Sequence, residues 1–420
     1  MKTMRLIWLF AFSVMLLGLF GCTDYFNSEK QITEKNSGSE PFEHTEYKAQ
    51  TKEPEKKKPV VEKPAETAQE PPESGNPREM LQHFVLVQMT DEEGGIRNIY
   101  TDGRPYILAE SMGQMMEYSL EMNNKTLFDK TWNFVKKHMM DEKYGLPYDS
   151  IWADNYEPRI NKTNTDDDMR LLWALYKAEE KWGGNKGYKT SGKKIADKLV
   201  KYNQYQNILG EGFYWDENGY NNSRIMDVDD LRWEVMQTLA EEDPIWRVMV
   251  VKTNQQFLTC QNQGNGLFWQ EWDIQKSRPR YAPGLNVSLT SHMLRGARYY
   301  SEYKTYVPAT TLHNRMKIEW EKTGKISSGY HMEYLGKGNG VEEMETYALA
   351  GRNAVALGDC KFGEEMKKRI LLDMVMDIES PIYGSVSQNR MENGIEDDMD
   401  TLLLFIEIDE CETPQTTLGP

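Results

Sequence analysis

The sequence predicts an all-α fold, a toroid of six helical hairpins of the (α/α)6 barrel type. Three observations predict it. Apolar residues recur at a period near 3.6 in about twelve segments between residues 78 and 408. Few stretches show the alternation and β-branched content that a sheet needs. The first helix of most successive pairs opens on polar or acidic residues: Glu110, Asp166 to Asp168, Asp227 to Asp230, Glu342 to Glu345 and Asp397 to Asp400. Acids at helix starts are also what capping and the helix dipole favour, so no single cluster is diagnostic. Their recurrence at one end of alternate helices suggests one acidic rim on a ring of inner and outer helices.

The 420-residue chain begins with Lys2 and Arg5 ahead of an apolar run from Leu6 to Phe20. That run suits a signal-peptide core and is too short and wrongly flanked to span a membrane. It ends in Leu19-Phe20-Gly21-Cys22, which resembles a bacterial lipobox. Residues 1–21 therefore read as a lipoprotein signal peptide. Cys22 reads as the lipid-bearing N-terminus of the mature chain, anchored at the extracellular face of the cell membrane. Ordinary secretion with an incidental Cys22 is the alternative. Residues 22–77 read as a disordered tether, rich in Glu, Lys, Pro, Ser and Thr and too poor in apolar side chains to offset ordering entropy. The folded domain is expected over 78–410, with 411–420 a C-terminal tail. Its helices are expected near 78–90, 107–122, 126–140, 166–182, 189–204, 227–241, 244–259, 286–303, 308–322, 342–357, 363–376 and 396–408.

Beyond Cys22 the cysteines are Cys260, Cys360 and Cys411, none at zinc-type spacing. A Cys260–Cys360 or a Cys360–Cys411 disulfide would suit an oxidising compartment. The net charge of −16 argues against nucleic acid, which needs clustered Lys and Arg. It also argues against a polyanionic substrate unless the cleft is locally basic. No His-Glu-x-x-His, Cys-x-x-Cys, Walker or Gly-x-Ser-x-Gly pattern stands out, so neither metal nor cofactor is expected.

The chemistry lies in two acidic sites separated by one helical hairpin. The first is Glu110 in Ala109-Glu110-Ser111-Met112-Gly113-Gln114-Met115-Met116. The second is Thr165-Asp166-Asp167-Asp168, leading into Met169-Arg170-Leu171-Leu172-Trp173-Ala174-Leu175 and ending near Lys181-Trp182-Gly183. Two carboxyl groups brought together by two helices are what glycoside hydrolysis needs. These runs resemble glycoside hydrolase family 8, the bacterial cellulases, xylanases, chitosanases and lichenases. The first resembles the family's Ser-Glu-Gly-x-Gly-Tyr-Gly-Met at Glu110, Gly113 and Met116. The second resembles its Thr-Asp-Ala-Asp motif and the Trp-Gly that follows, at Thr165, Asp166, Asp168, Ala174, Leu175, Ala178, Trp182 and Gly183. A third stretch, from Asn222-Ser223 through Trp233, Asp243 and Trp246 to Gly266-Leu267, also resembles the family. The likeness covers roughly residues 80–300.

The resemblance implies an (α/α)6 barrel and an inverting two-carboxylate hydrolase. Glu110 would be the general acid, beside an apolar wall of Met112, Met115 and Met116. Asp166 would bind the sugar ring at the cleavage point, and is itself a weak candidate for the base. Asp168 would be either a supporting partner or a helix-start charge. Inversion needs a second carboxylate about 6.5–9.5 Å from the acid. Many members of the family carry it in an Asp-Ala-x-Arg context. The corresponding Tyr281-Ala282-Pro283-Gly284-Leu285-Asn286-Val287-Ser288 holds no acid, and Asn286 falls near the expected place. The base stays open among Glu271, Asp273, Glu343 and Glu345.

Tyr148, Trp152 and Tyr156, then Tyr214 and Trp215, then Trp269 and Trp272, lie in loops on the predicted rim, where flat rings can stack on sugars. Loop packing is the alternative for any one of them. Trp132, Trp173 and Trp182 read as core, and His292 as a packing residue on an apolar helix. The resulting expectation is a tethered hydrolase of a β-linked, glucan-type exopolysaccharide, in a layout resembling lipoproteins that accompany exopolysaccharide synthases. Two other readings stand beside it. One is a synthase-accessory or polysaccharide-binding lipoprotein that has lost the base; the other is a different (α/α)6 enzyme such as an unsaturated-uronide hydrolase.

Overall fold

A computed structural model of the chain describes residues 75–412 apart from 100–103, 184–186, 263, 304–306, 335, 381 and 387–393. The expected signal peptide, Cys22, nearly all of the tether and the last eight residues lie outside the described residues. Twelve α-helices are described: α1 (Pro77–His83), α2 (Ala109–Glu121), α3 (Lys125–Phe134), α4 (Thr165–Trp182), α5 (Tyr188–Tyr202), α6 (Trp233–Glu242), α7 (Pro244–Cys260), α8 (Thr290–Tyr303), α9 (Val307–Thr323), α10 (Met344–Ala356), α11 (Cys360–Leu371) and α12 (Ile395–Glu412). The even-numbered helices form an inner ring: each packs on the next, and α12 closes on α2. Helices α3, α5, α7, α9 and α11 lie outside, each against the inner helix before it, and α1 packs on α12. This is the (α/α)6 barrel. No helix among the described residues is long and apolar enough to cross a membrane.

The two rings start their helices differently. Helices α1, α3, α7 and α11 use their own side chains: the Asn76, Asn124, Asp243 and Asp359 side chains accept from the backbone N–H of Arg78, Leu127, Ile245 and Phe362 at 3.0–3.1 Å, whereas α5 follows Gly187 and has no side-chain cap. Pro77 and Pro244 occupy first-turn positions where no donor is needed. Inner helices α2, α4, α6 and α10 have no side-chain cap. At the starts of α2, α4 and α8 a carbonyl from the following connection serves. Ala109 N donates to Asp149 O (3.0 Å), Thr165 N to Glu211 O (2.8 Å) and Thr290 N to Ser328 O (2.9 Å). First-turn acids of the inner ring are thereby released from capping.

Those connections contain what the sequence reading missed. Fourteen strands of two to five residues, among the described residues, form four three-stranded sheets and one hairpin. They are too short for alternation to register. Pro105–Leu108, Lys162–Asn164 and Ser288–Leu289 run directly into α2, α4 and α8. Leu108 pairs with Ser150, Asn164 with Gly212 and Leu289 with Gly329, which fixes where each inner helix starts. Two helices expected at 227–241 and 286–303 begin later, at Trp233 and Thr290. Asp227 to Asp230 and Asn286 therefore lie in connections, not in helical first turns.

Cys360 is bonded to Cys411, joining the start of α11 to the end of α12, while Cys260 is free and buried. Helix α12 runs on to Glu412 and takes in the first two residues of the expected tail.

The inner ring encloses charge. Helix α2 buries Ser111 to Leu120 without a break, unlike a one-sided amphipathic helix. Glu117 on α2 meets Arg352 (2.5 Å), Arg232 (3.0 Å) and Arg170 (3.7 Å). Asp400 on α12 meets Arg352 (2.6 Å) and Arg295 (3.2 Å), and accepts from Gln114 Nε2 (3.1 Å). Glu407 binds Arg352 and Arg298 at 2.8 and 2.9 Å. Every inner helix, or in α6 its preceding residue Arg232, supplies a member. Burial opposes ionisation of Glu117, but the three arginines hold its carboxyl well below the usual range. Its contribution to stability is therefore present at neutral pH and lost as pH falls through the depressed value. Removing one partner of a buried ion pair costs about 3–5 kcal/mol, so Glu117→Gln should lower stability by about that much in denaturant titrations at pH 7.

Candidate active site

At the rim formed by the starts of the inner helices, Arg295 on α8 gathers acids from across the ring. Its Nη1 lies 3.1 Å from Glu110 Oε1, 3.6 Å from Asp229 Oδ2 and 3.9 Å from Asp166 Oδ2. Its Nη2 lies 2.7 Å from Glu345 Oε1 and 3.2 Å from Asp400 Oδ2. Arg170, one turn after Asp166 on α4, reaches Asp166 at 3.4 Å and Glu110 at 3.6 Å. The Gly113 position on α2 makes room for it, since a Cβ there would sit 2.6 Å from Arg170 Cδ.

The Glu110 side chain keeps 23 % of its surface exposed. Burial pushes its carboxyl up to about 8; Arg295 and Arg170 oppose the shift, and Asp166 adds to it. Glu110 thus carries a proton at neutral pH and remains reachable from the rim. Asp166 is buried, and its Oδ1 has no hydrogen-bond partner among the described residues. Oxygens of Glu110, Asp166 and Asp167 lie within 4.8 Å of one another. That spacing leaves no room for a water and a sugar carbon between Glu110 and either aspartate. Asp168 turns the other way: its Oδ2 accepts from Thr163 Oγ1 (2.6 Å) and Asn203 Nδ2 (3.4 Å), tying the start of α4 to its surroundings.

A second cluster stands beside the first. His292 Nδ1 is 2.9 Å from Asp229 Oδ2 and 3.2 Å from Asp227 Oδ1. Gln270 Nε2 is 3.3 Å from Asp227 Oδ2. His292 is thus part of a charged cluster, which corrects the reading of it as apolar packing. Burial disfavours its charge, yet Asp229 and Asp227 raise it well above the ordinary histidine value. Burial likewise works against an ionised Asp229, but His292 and Arg295 hold its carboxyl below the usual range. Asp227 goes the other way, pushed well up by burial and by Asp229. The segment packs tightly on α8 because Gly296 has no side chain; a Cβ there would meet Val228 O at 2.4 Å. Both clusters have the spacing of metal ligands. Arg295 and Arg170 in the first, and His292 and Arg295 in the second, already provide the compensating positive charge.

The other expected bases are placed differently. Glu271, on the strand Glu271–Asp273, is paired to Arg280 at 2.7 Å, and burial pushes it up to about 7. Asp273 accepts from Lys276 N at 2.8 Å within its own turn. Glu343 is the residue before α10, pushed up by burial and by Glu345. Asn286 is exposed, and its carbonyl lies 2.9 Å from His331 Nδ1.

Of the expected sugar platforms, Trp215 and Tyr148 pack together at 5.4 Å, and Trp269 packs on Tyr281 at 4.8 Å; all are partly buried. Trp152 carries the Arg104 guanidinium 3.8 Å over its ring, where a pyranose would stack. Trp272 is only 6 % exposed and belongs to the core, so it offers no face to a sugar, contrary to expectation. Arg170, Arg295 and Asp229 were not anticipated. An arginine inside an apolar helical run, as in Met169-Arg170-Leu171 and Leu294-Arg295, demands a buried acidic partner and was the available signal.

An (α/α)6 barrel with a protonated glutamate at the inner rim, beside unpartnered carboxylate oxygen, has the form of a helical glycoside hydrolase. The family model for glycosyl hydrolases family 8 matches residues 89–337. The chain belongs to that family, whose members act with inversion. An endoglucanase of Cellulomonas uda is 33 % identical over 97 residues, 22 % of this chain and 26 % of that protein. The putative lipoprotein YdaJ of Bacillus subtilis (strain 168) is 24 % identical over 143 residues, 34 % of this chain and 36 % of that protein. Both matches span well under two thirds of the relative. An alpha-amylase structure from Clostridium perfringens superposes with a TM-score of 0.67 at 20 % identity, covering 79 % of this chain and 97 % of that one.

The geometry predicts a carboxyl that titrates near pH 8. Carbon-13 NMR of glutamate-labelled protein should resolve it, and the signal should vanish in Glu110→Gln. If the glutamate signal lost in Glu110→Gln titrates in the ordinary carboxyl range, the site as described is contradicted.

Proposed function

We propose that this protein hydrolyses a β-linked, glucan-type extracellular polysaccharide by the inverting two-carboxylate route, as a lipoprotein tethered through Cys22. The observation that carries the reading is Glu110, protonated at neutral pH and exposed to the rim, beside the unpartnered Oδ1 of Asp166. Glu110 donates its proton to the glycosidic oxygen. Asp166 accepts hydroxyl hydrogens of the ring at the cleavage point through charge-assisted hydrogen bonds. Support for a glucan comes from the endoglucanase relative. Support for the anchor comes from the lipoprotein relative and from Leu19-Phe20-Gly21-Cys22. The layout also fits service beside an exopolysaccharide synthase.

Two other readings share the fold: a polysaccharide-binding lipoprotein without catalysis, and hydrolysis of an α-linked glucan, favoured by the alpha-amylase neighbour. Reducing ends should appear from a β-1,4-glucan or mixed-linkage β-glucan and not from starch. Glu110→Gln should lower kcat/KM by about 10²–10⁴-fold. Polymers that bind but yield no ends with either protein would favour the binding role, and starch cleavage the third reading. Proton NMR of the first-formed product should show the inverted anomer.

The acid must be protonated to act, and its value is raised. Activity should therefore hold through neutral pH and fall as pH rises through about 8. A kcat/KM profile already falling by pH 5 to 6 would contradict Glu110 as the acid.

A further inference from the structure

The stretch where many family members carry the base holds no acid, yet the rim offers a carboxylate in the right relation to Glu110. We propose that Asp229, in the connection before α6, is the general base, and that His292 and Arg295 position it. The proposal rests on the hydrolase reading above.

The argument is one of order around the ring. Arg295 divides its partners between its two terminal nitrogens. Nη1 collects Glu110, Asp166 and Asp229; Nη2 collects Glu345 and the fully buried Asp400. On the Nη1 side the carboxylates come from α2, from α4 and from the segment before α6, three successive stations of the inner ring. Asp166, the sugar clamp, is the middle one. A ring held over Asp166 therefore has Glu110 on one flank and Asp229 on the other, as an inverting displacement requires. Glu345 lies beyond Arg295 from the clamp.

Distance sets a limit. Asp229 and Glu110 are linked through a single nitrogen at 3.6 and 3.1 Å, so the two oxygens that share it stand no more than 6.7 Å apart. That bound just reaches the roughly 6.5–9.5 Å of inverting enzymes, so the pair must open slightly to admit the water. Asp166 and Asp167 are too close to Glu110 for that role. Glu271 and Asp273 pair with Arg280 and Lys276 on their own strand and turn rather than with the Arg295 that holds Glu110 and Asp166.

Charge agrees as well. The base must be ionised while the acid is protonated, and the environment separates the two in that sense. His292 and Arg295 favour an ionised Asp229, whereas burial keeps the proton on Glu110.

The step balances as follows. Asp229 takes a proton from water as the water oxygen bonds to the anomeric carbon from the flank opposite Glu110. The bond from that carbon to the glycosidic oxygen breaks, and the oxygen takes the proton of Glu110. A hemiacetal of inverted configuration and a free hydroxyl result. Asp229 then returns its proton to solvent, and Glu110 regains one.

The test uses the full domain with Asp229→Asn and Asp229→Ala, and Glu345→Gln beside them. Asp229→Asn should lose about 10²–10⁴-fold in kcat while its affinity for uncleaved polymer, read by affinity electrophoresis, stays within about threefold. Asp229→Ala with sodium azide should regain turnover and release a glycosyl azide of inverted configuration, because azide takes the place of the activated water. A structural role for Asp229 would yield no such product. The proposal is overturned if Asp229→Asn keeps kcat within about tenfold of the wild type, or if the loss follows weakened polymer binding. It is equally overturned if the kcat loss and azide product belong to Glu345→Gln instead. An active wild type with an active Asp229→Asn removes only the base. A wild type inert on every polymer removes the hydrolase reading itself.

Discussion

The barrel depends on a buried set of ion pairs along its axis. Glu117, Asp400 and Glu407 face Arg170, Arg232, Arg295, Arg298 and Arg352, and the members come from all six stations of the inner ring. Isolated charges in such a place would cost many kcal/mol; paired and hydrogen-bonded, they are tolerated. An apolar core of the same volume could be as stable, so stability alone does not explain the charge. What charge adds is register. A helix sliding by one residue would turn its arginine by about 100° away from its acid, and that acid would be left buried and unpaired. The network therefore constrains how the six inner helices sit relative to one another, and with them the groups at the rim.

The rim exploits a second constraint. Every helix must satisfy its first backbone donors. Helices α1, α3, α7 and α11 do so with Asn and Asp side chains, which are thereby occupied. In α2, α4 and α8 a carbonyl of the following connection takes the leading donor, and the short strands hold that carbonyl in place. Carboxylates at the inner helix starts keep the favourable field of the helix dipole without being committed to capping. The same short strands that escape sequence detection thus give the rim its free acids.

This accounts for what could and could not be read from sequence. The outer helices carry one-sided apolar stripes, and α1, α3, α7 and α11 side-chain caps, so their existence and approximate limits were legible. The inner helices declared themselves through acids at their starts, and Glu110 and Asp166 stood out because each opens an apolar run. Asp229 was visible as one acid in Asp227-Val228-Asp229-Asp230 but was assigned to a helix start, because nothing local separates a first turn from the residues just before it. His292 looked apolar because its neighbours Met293 and Leu294 are; its partners lie on another connection, and only the fold brings them near. Trp272 was misread for a related reason. Its strand neighbours Glu271 and Asp273 suggested a polar loop, whereas the strand packs its indole into the core.

The contrast between Glu117 and Glu110 shows how one framework makes opposite carboxyls. Both lie on α2, two turns apart, and both are desolvated. Glu117 has three arginines around it and is held ionised. The Glu117 partner Arg352 is shared with Asp400 and Glu407, but Glu110 touches only two arginines, at 3.1 and 3.6 Å, and both are divided: Arg170 also serves Asp166 and Glu117, and Arg295 also serves Asp229, Asp166, Glu345 and Asp400. Each shared cation has its field offset by the other anions around it, so desolvation wins at Glu110, with Asp166 adding repulsion. A proton is thus kept where a leaving oxygen would need one, not by removing positive charge but by crowding negative charge onto it. Such an arrangement ties chemistry to fold, since any change in how the inner helices register alters the sharing, and with it the protonation of Glu110.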